Sequence, residues 1–97
     1  MLVAGSGNNG DDRKVYPAAL KADSVEIMAV AANTRYDLLA PFSTINRIQS
    51  SGGREWVRFV APGENIVSAM PGGRYGTWSG TSMSAPVVAG ITALAMS

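Results

Sequence analysis

The sequence predicts an α/β fold, and three observations lead there. Short apolar runs recur along the chain, each closed by a glycine or proline turn, which is the pattern of buried strands. A long uncharged segment at the C-terminal end has the composition of a buried helix. Two glycine-rich turns, one after the first apolar run and one before that helix, join these parts.

Residues 1–4 (Met-Leu-Val-Ala) read as the last residues of a buried strand, so the start looks truncated. Gly5-Ser6-Gly7-Asn8-Asn9-Gly10 follows with the G-x-G-x-x-G spacing of a dinucleotide-binding turn. That chemistry needs an amphipathic helix directly after the third glycine, its N-terminus on the phosphates. Here Asp11-Asp12-Arg13-Lys14 comes next and Pro17 cuts any helix short. Two carboxylates at this place also repel a phosphate, so a glycine-rich turn without a nucleotide is expected.

Residues 17–20 (Pro-Ala-Ala-Leu) have the composition of one helical turn, and residues 25–31 that of a buried strand rich in branched side chains. Residues 33–36 turn, residues 38–43 are apolar but interrupted by Pro41, and residues 46–54 have the polar and glycine content of an exposed loop. Residues 56–61 make a further strand, which Pro62-Gly63 ends. Residues 66–70 make a short one, and Pro71-Gly72-Gly73 turns again before Tyr75-Gly76-Thr77-Trp78.

From Tyr75 to Ser97 there are 23 residues without a charge. A membrane span is excluded, because Gly76, Ser79, Gly80, Thr81, Ser82, Ser84, Pro86 and Gly90 leave an apolar remainder below the roughly 20 residues needed. Val87, Val88, Ile91, Leu94 and Met96, with Ala85, Ala89, Ala93 and Ala95, place apolar groups around most of a helix. Such a helix is enclosed by protein on all sides, which belongs to a large domain. Pro86 fits its first turn, where the missing N–H has no acceptor to lose.

At 97 residues the chain is one small unit with 46% hydrophobic and 15% charged residues. A charged share near 25% is usual, so the sparse surface points to a piece of something larger or to a chain that pairs with copies of itself. The eight basic residues (Arg13, Lys14, Lys21, Arg35, Arg47, Arg54, Arg58, Arg74) are scattered and the net charge is +1, which gives nucleic-acid binding no electrostatic support. With no cysteine and no histidine, thiolate and imidazole metal sites are excluded, as is a histidine base. The start shows neither the basic flank nor the apolar region of a signal peptide.

The chemistry concentrates in Gly80-Thr81-Ser82-Met83-Ser84-Ala85-Pro86, where a glycine turn meets the helix. Unpaired N–H groups and the positive end of the macrodipole stabilise negative charge at a helix start, which suits a serine that attacks a carbonyl and generates an oxyanion. The plain alternative is that Ser82 or Thr81 serves only as the N-cap.

The segment Gly-Thr-Ser-Met-Ser-Ala-Pro-Val-Val-Ala-Gly-Ile-Thr-Ala-Leu resembles the catalytic-serine segment of the subtilisin-like serine proteases, whose pattern is Gly-Thr-Ser-Met-Ala/Ser-x-Pro followed by a helix. Residues 3–10 resemble the segment of that family that carries the oxyanion-hole asparagine. Tyr16-Pro17-Ala18, residues 25–31, Phe42-Ser43, Val60-Ala61-Pro62-Gly63 and residues 75–80 run in family order between them, so the resemblance covers nearly the whole chain. It implies a fragment of a doubly wound α/β parallel sheet, with residues 1–97 a partial catalytic domain, its C-terminal portion. It implies that Ser82 is the nucleophile and that its backbone N–H and the side-chain amide of Asn8 form the oxyanion hole. It implies that Gly5, Ser6 and Gly7 form one wall of the substrate pocket, with space for a large side chain of a peptide substrate.

The departures set the expectations for function. The family's Asp and His lie N-terminal to the asparagine segment and are missing from this chain, and Val87 stands where a histidine commonly follows the motif's proline. Residues 47–54 look like an insertion. The expected protein is the serine-bearing piece of a serine endopeptidase, unable to cleave peptides alone. Its alternatives are a non-catalytic, self-associating remnant and a weak esterase acting through Ser82 without a histidine. Family members often bind calcium, but Asp11, Asp12, Asp23 and Glu26 match no calcium-loop spacing, so no metal or other cofactor is expected.

Overall fold

The computed structural model describes residues 1–46 and 56–97. Three parallel strands form its centre: β1 (Leu2–Gly5), β2 (Ile27–Asn33) and β3 (Val57–Pro62), in the order β1-β2-β3. Leu2 stands opposite Ile27 and Gly5 opposite Val30, while Val30 stands opposite Phe59 and Asn33 opposite Pro62. Parallel pairing buries the middle strand on both faces, and residues 29–32 of β2 are all buried. Pro62 ends β3, where an edge strand tolerates a missing donor.

Each face of the sheet has its own small core. On one, Ala29, Ala31 and Val57 pack with Ala18, and Ala4, Ile45 and Trp56 lie against them. On the other, Val30 and Ala61 pack with Val88 of helix α1 (Thr81–Met96), flanked by Val3 and Met28. Among the described residues seven of the ten buried apolar ones are alanines and the other three are valines, so apolar burial is thin. A methylene buried contributes about 0.8 kcal/mol, and an alanine offers little more than one.

The segment after Gly10 makes no helix, as its charges and Pro17 require, and residues 16–19 close one hydrogen-bonded turn in which the Ala19 N–H donates to Val15 O at 2.7 Å. The strand expected at residues 25–31 starts at Ile27, because Val25 is drawn into a bridge with Ala22. Residues 74–78, left without an element by the sequence reading, form β5 (Arg74–Trp78), paired antiparallel to β4 (Ile66–Met70). Gly72 and Gly73 both have positive φ (84° and 71°), the conformation that turns a tight hairpin, and that local geometry makes the second strand. The insertion at residues 47–54 lies outside the described residues, apart from which the expected loop begins at Asn46.

Two expectations about the helix change. Pro86 lies inside α1, in its second turn and not its first, because the helix already begins at Thr81. The carbonyl of Ser82 therefore loses the i+4 donor that any other residue would supply. The described residues do not enclose the helix on all sides: Thr81, Ser84 and Val88 are the buried positions of α1, all on the side that meets the sheet. Among the described residues no helix is long and apolar enough to cross a membrane.

Candidate active site

The site lies beyond the C-terminal ends of the parallel strands, where the turn after β1 meets the start of α1. Gly5 ends β1 and cannot be larger: a Cβ there would lie 2.7 Å from Thr81 Oγ1 and 3.0 Å from the Thr81 carbonyl. This close approach lets the backbone of the turn engage Thr81 directly. The Gly7 N–H donates to Thr81 Oγ1 at 3.1 Å, and the Thr81 N–H donates to Asn8 Oδ1 at 2.8 Å.

The second of these bonds fixes the Asn8 amide. A backbone N–H can only donate, so the atom facing Thr81 is the oxygen, and among the described residues the Nδ2 group has no acceptor, at the exposed side of the turn. The same bond caps the helix. The N-cap residue is Gly80, which has no side chain to cap with, so Asn8 supplies the acceptor from 73 residues away. Neither Ser82 nor Thr81 is the N-cap, which removes the plain structural reading of Ser82.

Ser82 is the second residue of α1 and is exposed. Its N–H has no intrahelical acceptor, and among the described residues no other acceptor meets it. Its neighbour's N–H is occupied, since Met83 donates to Gly80 O at 3.0 Å. A free backbone N–H at Ser82 and a free amide at Asn8 thus lie on segments tied together through Thr81, at the positive end of a helix. That is a pair of neutral donors suited to a developing oxyanion.

Other ties hold these parts in place. Ser6 is fully buried, and its Oγ donates to Thr44 O at 2.7 Å, so the turn presents its backbone rather than this hydroxyl to the outside. The Thr44 N–H donates to Gly7 O at 2.8 Å, the Gly10 N–H to Phe42 O at 2.8 Å, and the Asn9 N–H reaches Thr44 Oγ1 at 3.4 Å. Ser43 Oγ accepts from the Ala32 N–H at 2.9 Å and anchors that segment to β2. On the helix side Ser84 Oγ donates to Ala61 O at 2.9 Å, and the Gly80 N–H donates to Gly63 O at 2.7 Å. Gly63 must be glycine because a Cβ would run into Ser84 Oγ and lie 2.6 Å from the Ala32 methyl and 2.8 Å from Gly80 O.

Asn8, Gly5 and Gly7, expected from the sequence, thus converge on the helix start with Ser82. Thr44, Ser43, Ser84 and Gly63 were not singled out as site residues, since their roles depend on tertiary contacts. A separate cavity, lined by Lys21, Ile27 and Arg58 among others, lies at the opposite ends of β2 and β3. Among the described residues no three of Asp, Glu, His or Cys converge. Asp11 instead faces Arg13 at 3.8 Å.

Parallel strands that end beside a turn asparagine and an exposed serine at a helix start give the chain an α/β arrangement with both residues at one end of the sheet. More narrowly, the chain belongs to the subtilase family, whose profile matches residues 1–97. It is 43% identical over 94 residues to a thermophilic serine proteinase of Bacillus sp. (strain AK1), covering 97% of this chain and 20% of that protein. It is 40% identical to an intracellular serine protease of Paenibacillus polymyxa, covering 97% of this chain and 26% of that one. The solved structure of the self-cleaved protease domain of PatA superimposes with a TM-score of 0.76 at 39% identity, covering 97% of this chain and 32% of that chain. The chain thus spans about a fifth to a third of these three relatives, and corresponds to part of a subtilisin-like serine protease domain.

Proposed function

We propose that this chain supplies the nucleophile and oxyanion hole of a subtilisin-like endopeptidase, with Ser82 as nucleophile and the Ser82 N–H and Asn8 Nδ2 as oxyanion donors. The observation that carries this is the 2.8 Å bond from the Thr81 N–H to Asn8 Oδ1, which joins the two segments and turns the Asn8 donor outward. Gly5, Ser6 and Gly7 form one wall of the pocket for a peptide side chain, through their backbone. Ser82 attacks the scissile carbonyl, its proton passing to a base, and the oxyanion is held by the two donors until the amine leaves. The amine must be protonated as it leaves, and the sequence contains no histidine for that role. The chain by itself therefore cleaves no peptide, and the Asp and His come from polypeptide outside these 97 residues.

A serine-directed fluorophosphonate, read by intact mass, tests this. The chain alone is expected to stay unlabelled, and to become labelled once folded together with an Asp- and His-bearing part of a subtilase domain. Ser82→Ala is expected to stay unlabelled in both. Labelling of the chain alone would overturn the need for an outside base. Labelling of Ser82→Ala, or none in a folded complex, would overturn Ser82 as the nucleophile.

A second reading, a self-associating chain without catalysis, is favoured by the exposure of Ile91, Leu94 and Met96 (62%, 76% and 72%) and by the open edge of β1. Sedimentation separates the two, since that reading requires a concentration-dependent oligomer that Leu94→Ser weakens.

A further inference from the structure

Asn9 is the only one of the five asparagines followed by glycine. Such a pair is where succinimide closure meets least steric resistance, because glycine has no Cβ to crowd the attacking nitrogen. The Gly10 nitrogen, once deprotonated, attacks Asn9 Cγ; the N–Cγ bond forms, the Cγ–Nδ2 bond breaks, and ammonia leaves with a proton from solvent. Water then opens the imide at either carbonyl and leaves aspartate or isoaspartate at position 9.

In the folded chain this nitrogen is occupied. The Gly10 N–H donates to Phe42 O at 2.8 Å, and Gly10 sits at φ +66° against Pro41, whose carbonyl would lie 3.0 Å from any Cβ. Asn9 is exposed, so its amide is open to water, yet its own N–H is drawn to Thr44 Oγ1 at 3.4 Å. The reactive dipeptide is thus solvated on its side-chain side and held on its backbone side by residues 42–44. Ring closure requires that clasp to open.

We propose that Asn9-Gly10 is a spontaneous deamidation site gated by the Phe42–Thr44 clasp. Both products place a carboxylate next to Asn8. Isoaspartate also inserts a methylene into the main chain between the Asn8 turn and the Phe42 contact. On the reading of Asn8 as an oxyanion donor, either product opposes the negative charge that the site has to hold. The modification itself does not depend on that reading, because it is scored by mass at Asn9 and not by activity.

The purified chain is incubated in mildly alkaline buffer with and without urea, and the tryptic peptide spanning residues 1–13 is resolved into Asn, Asp and isoAsp forms over time. The native rate is expected to be at least roughly tenfold below the unfolded rate, a factor that corresponds to about 1.4 kcal/mol of local opening. Thr44→Val, which removes the hydroxyl acceptor, is expected to move the native rate toward the unfolded one, and Thr44→Ser to restore it. Equal rates in native buffer and urea would overturn the gate, whether or not Thr44→Val folds. So would a folded Thr44→Val variant that deamidates no faster than the wild type. No deamidation of the unfolded chain would overturn the site.

Discussion

The two ends of α1 are held by different physics. At its start Thr81 and Ser84 are covered (2% and 0% exposed) and every tie is polar, running to Gly7, Asn8, Ala61 and Gly63. At its far end Ile91, Leu94 and Met96 lie open on an apolar surface with no cover among the described residues. The end that looks most buried in composition is the most exposed, and the end rich in hydroxyls and glycine is the most closely packed. In a core of seven alanines and three valines, the polar latches at the helix start do much of the positioning, and they position Ser82 and Asn8.

The largest expected effect is at Gly63. Gly63→Ala drives a methyl into Ser84 Oγ, Ala32 and Gly80 O, and should cost about 3 kcal/mol in urea unfolding, the upper end for overpacking. Gly90→Ala is its counterpart at the open end, with nothing within 4 Å of the added methyl, and should stabilise by about 0.5–1 kcal/mol through helix propensity. Equal effects of these two glycines would break the comparison.

Next in size are the latches. Ser84→Ala leaves Ala61 O without its hydroxyl donor and should cost about 1–2 kcal/mol. Asn8→Ala removes the cap from Thr81 and should cost about 1 kcal/mol. Asn8→Asp keeps the acceptor and adds a charge favourable at a helix start, so it should unfold within about 0.5 kcal/mol of the wild type. It lacks the Nδ2 donor, however, and should lose the fluorophosphonate labelling of the assembled site. A stable and fully labelled Asn8→Asp would separate capping from oxyanion binding and assign Asn8 only the first. The smallest effect is expected at Leu94, where Leu94→Ser should change stability by no more than about 0.5 kcal/mol. A loss of several times that, with a fall in sedimentation coefficient, would mean that copies of the chain cover this end.

The same contrast explains what was legible in the sequence. Ser82 and Asn8 stand in local motifs whose residue types and order carry the family resemblance, so both could be singled out as candidates without a structure. The three parallel strands showed as apolar runs between turns. β5 did not show, because Tyr75-Gly76-Thr77-Trp78 is uncharged but unpatterned, and only the positive φ of Gly72 and Gly73 turns it back on β4. Pro86 is expected in the first turn from residue type alone, whereas with the helix starting at Thr81 it is the sixth helical residue. Thr44 gave no signal, since its three bonds to the asparagine turn join residues 35 to 38 positions apart, and no local pattern encodes such a meeting. Gly63 looked like an ordinary turn glycine after proline, whereas its true constraint is the volume left by Ser84 and Ala32.

The central claim is that the bond from the Thr81 N–H to Asn8 Oδ1 locks the asparagine turn to the serine helix and orients the Asn8 amide. Its most direct test is a through-hydrogen-bond scalar coupling measured by NMR between the Thr81 amide nitrogen and Asn8 Cγ in the isotope-labelled chain. A resolved coupling, with slow solvent exchange of the Thr81 amide, is the expected result. A Thr81 amide that exchanges freely and shows no coupling, in a chain whose β1–β2–β3 amides are protected, would contradict the account.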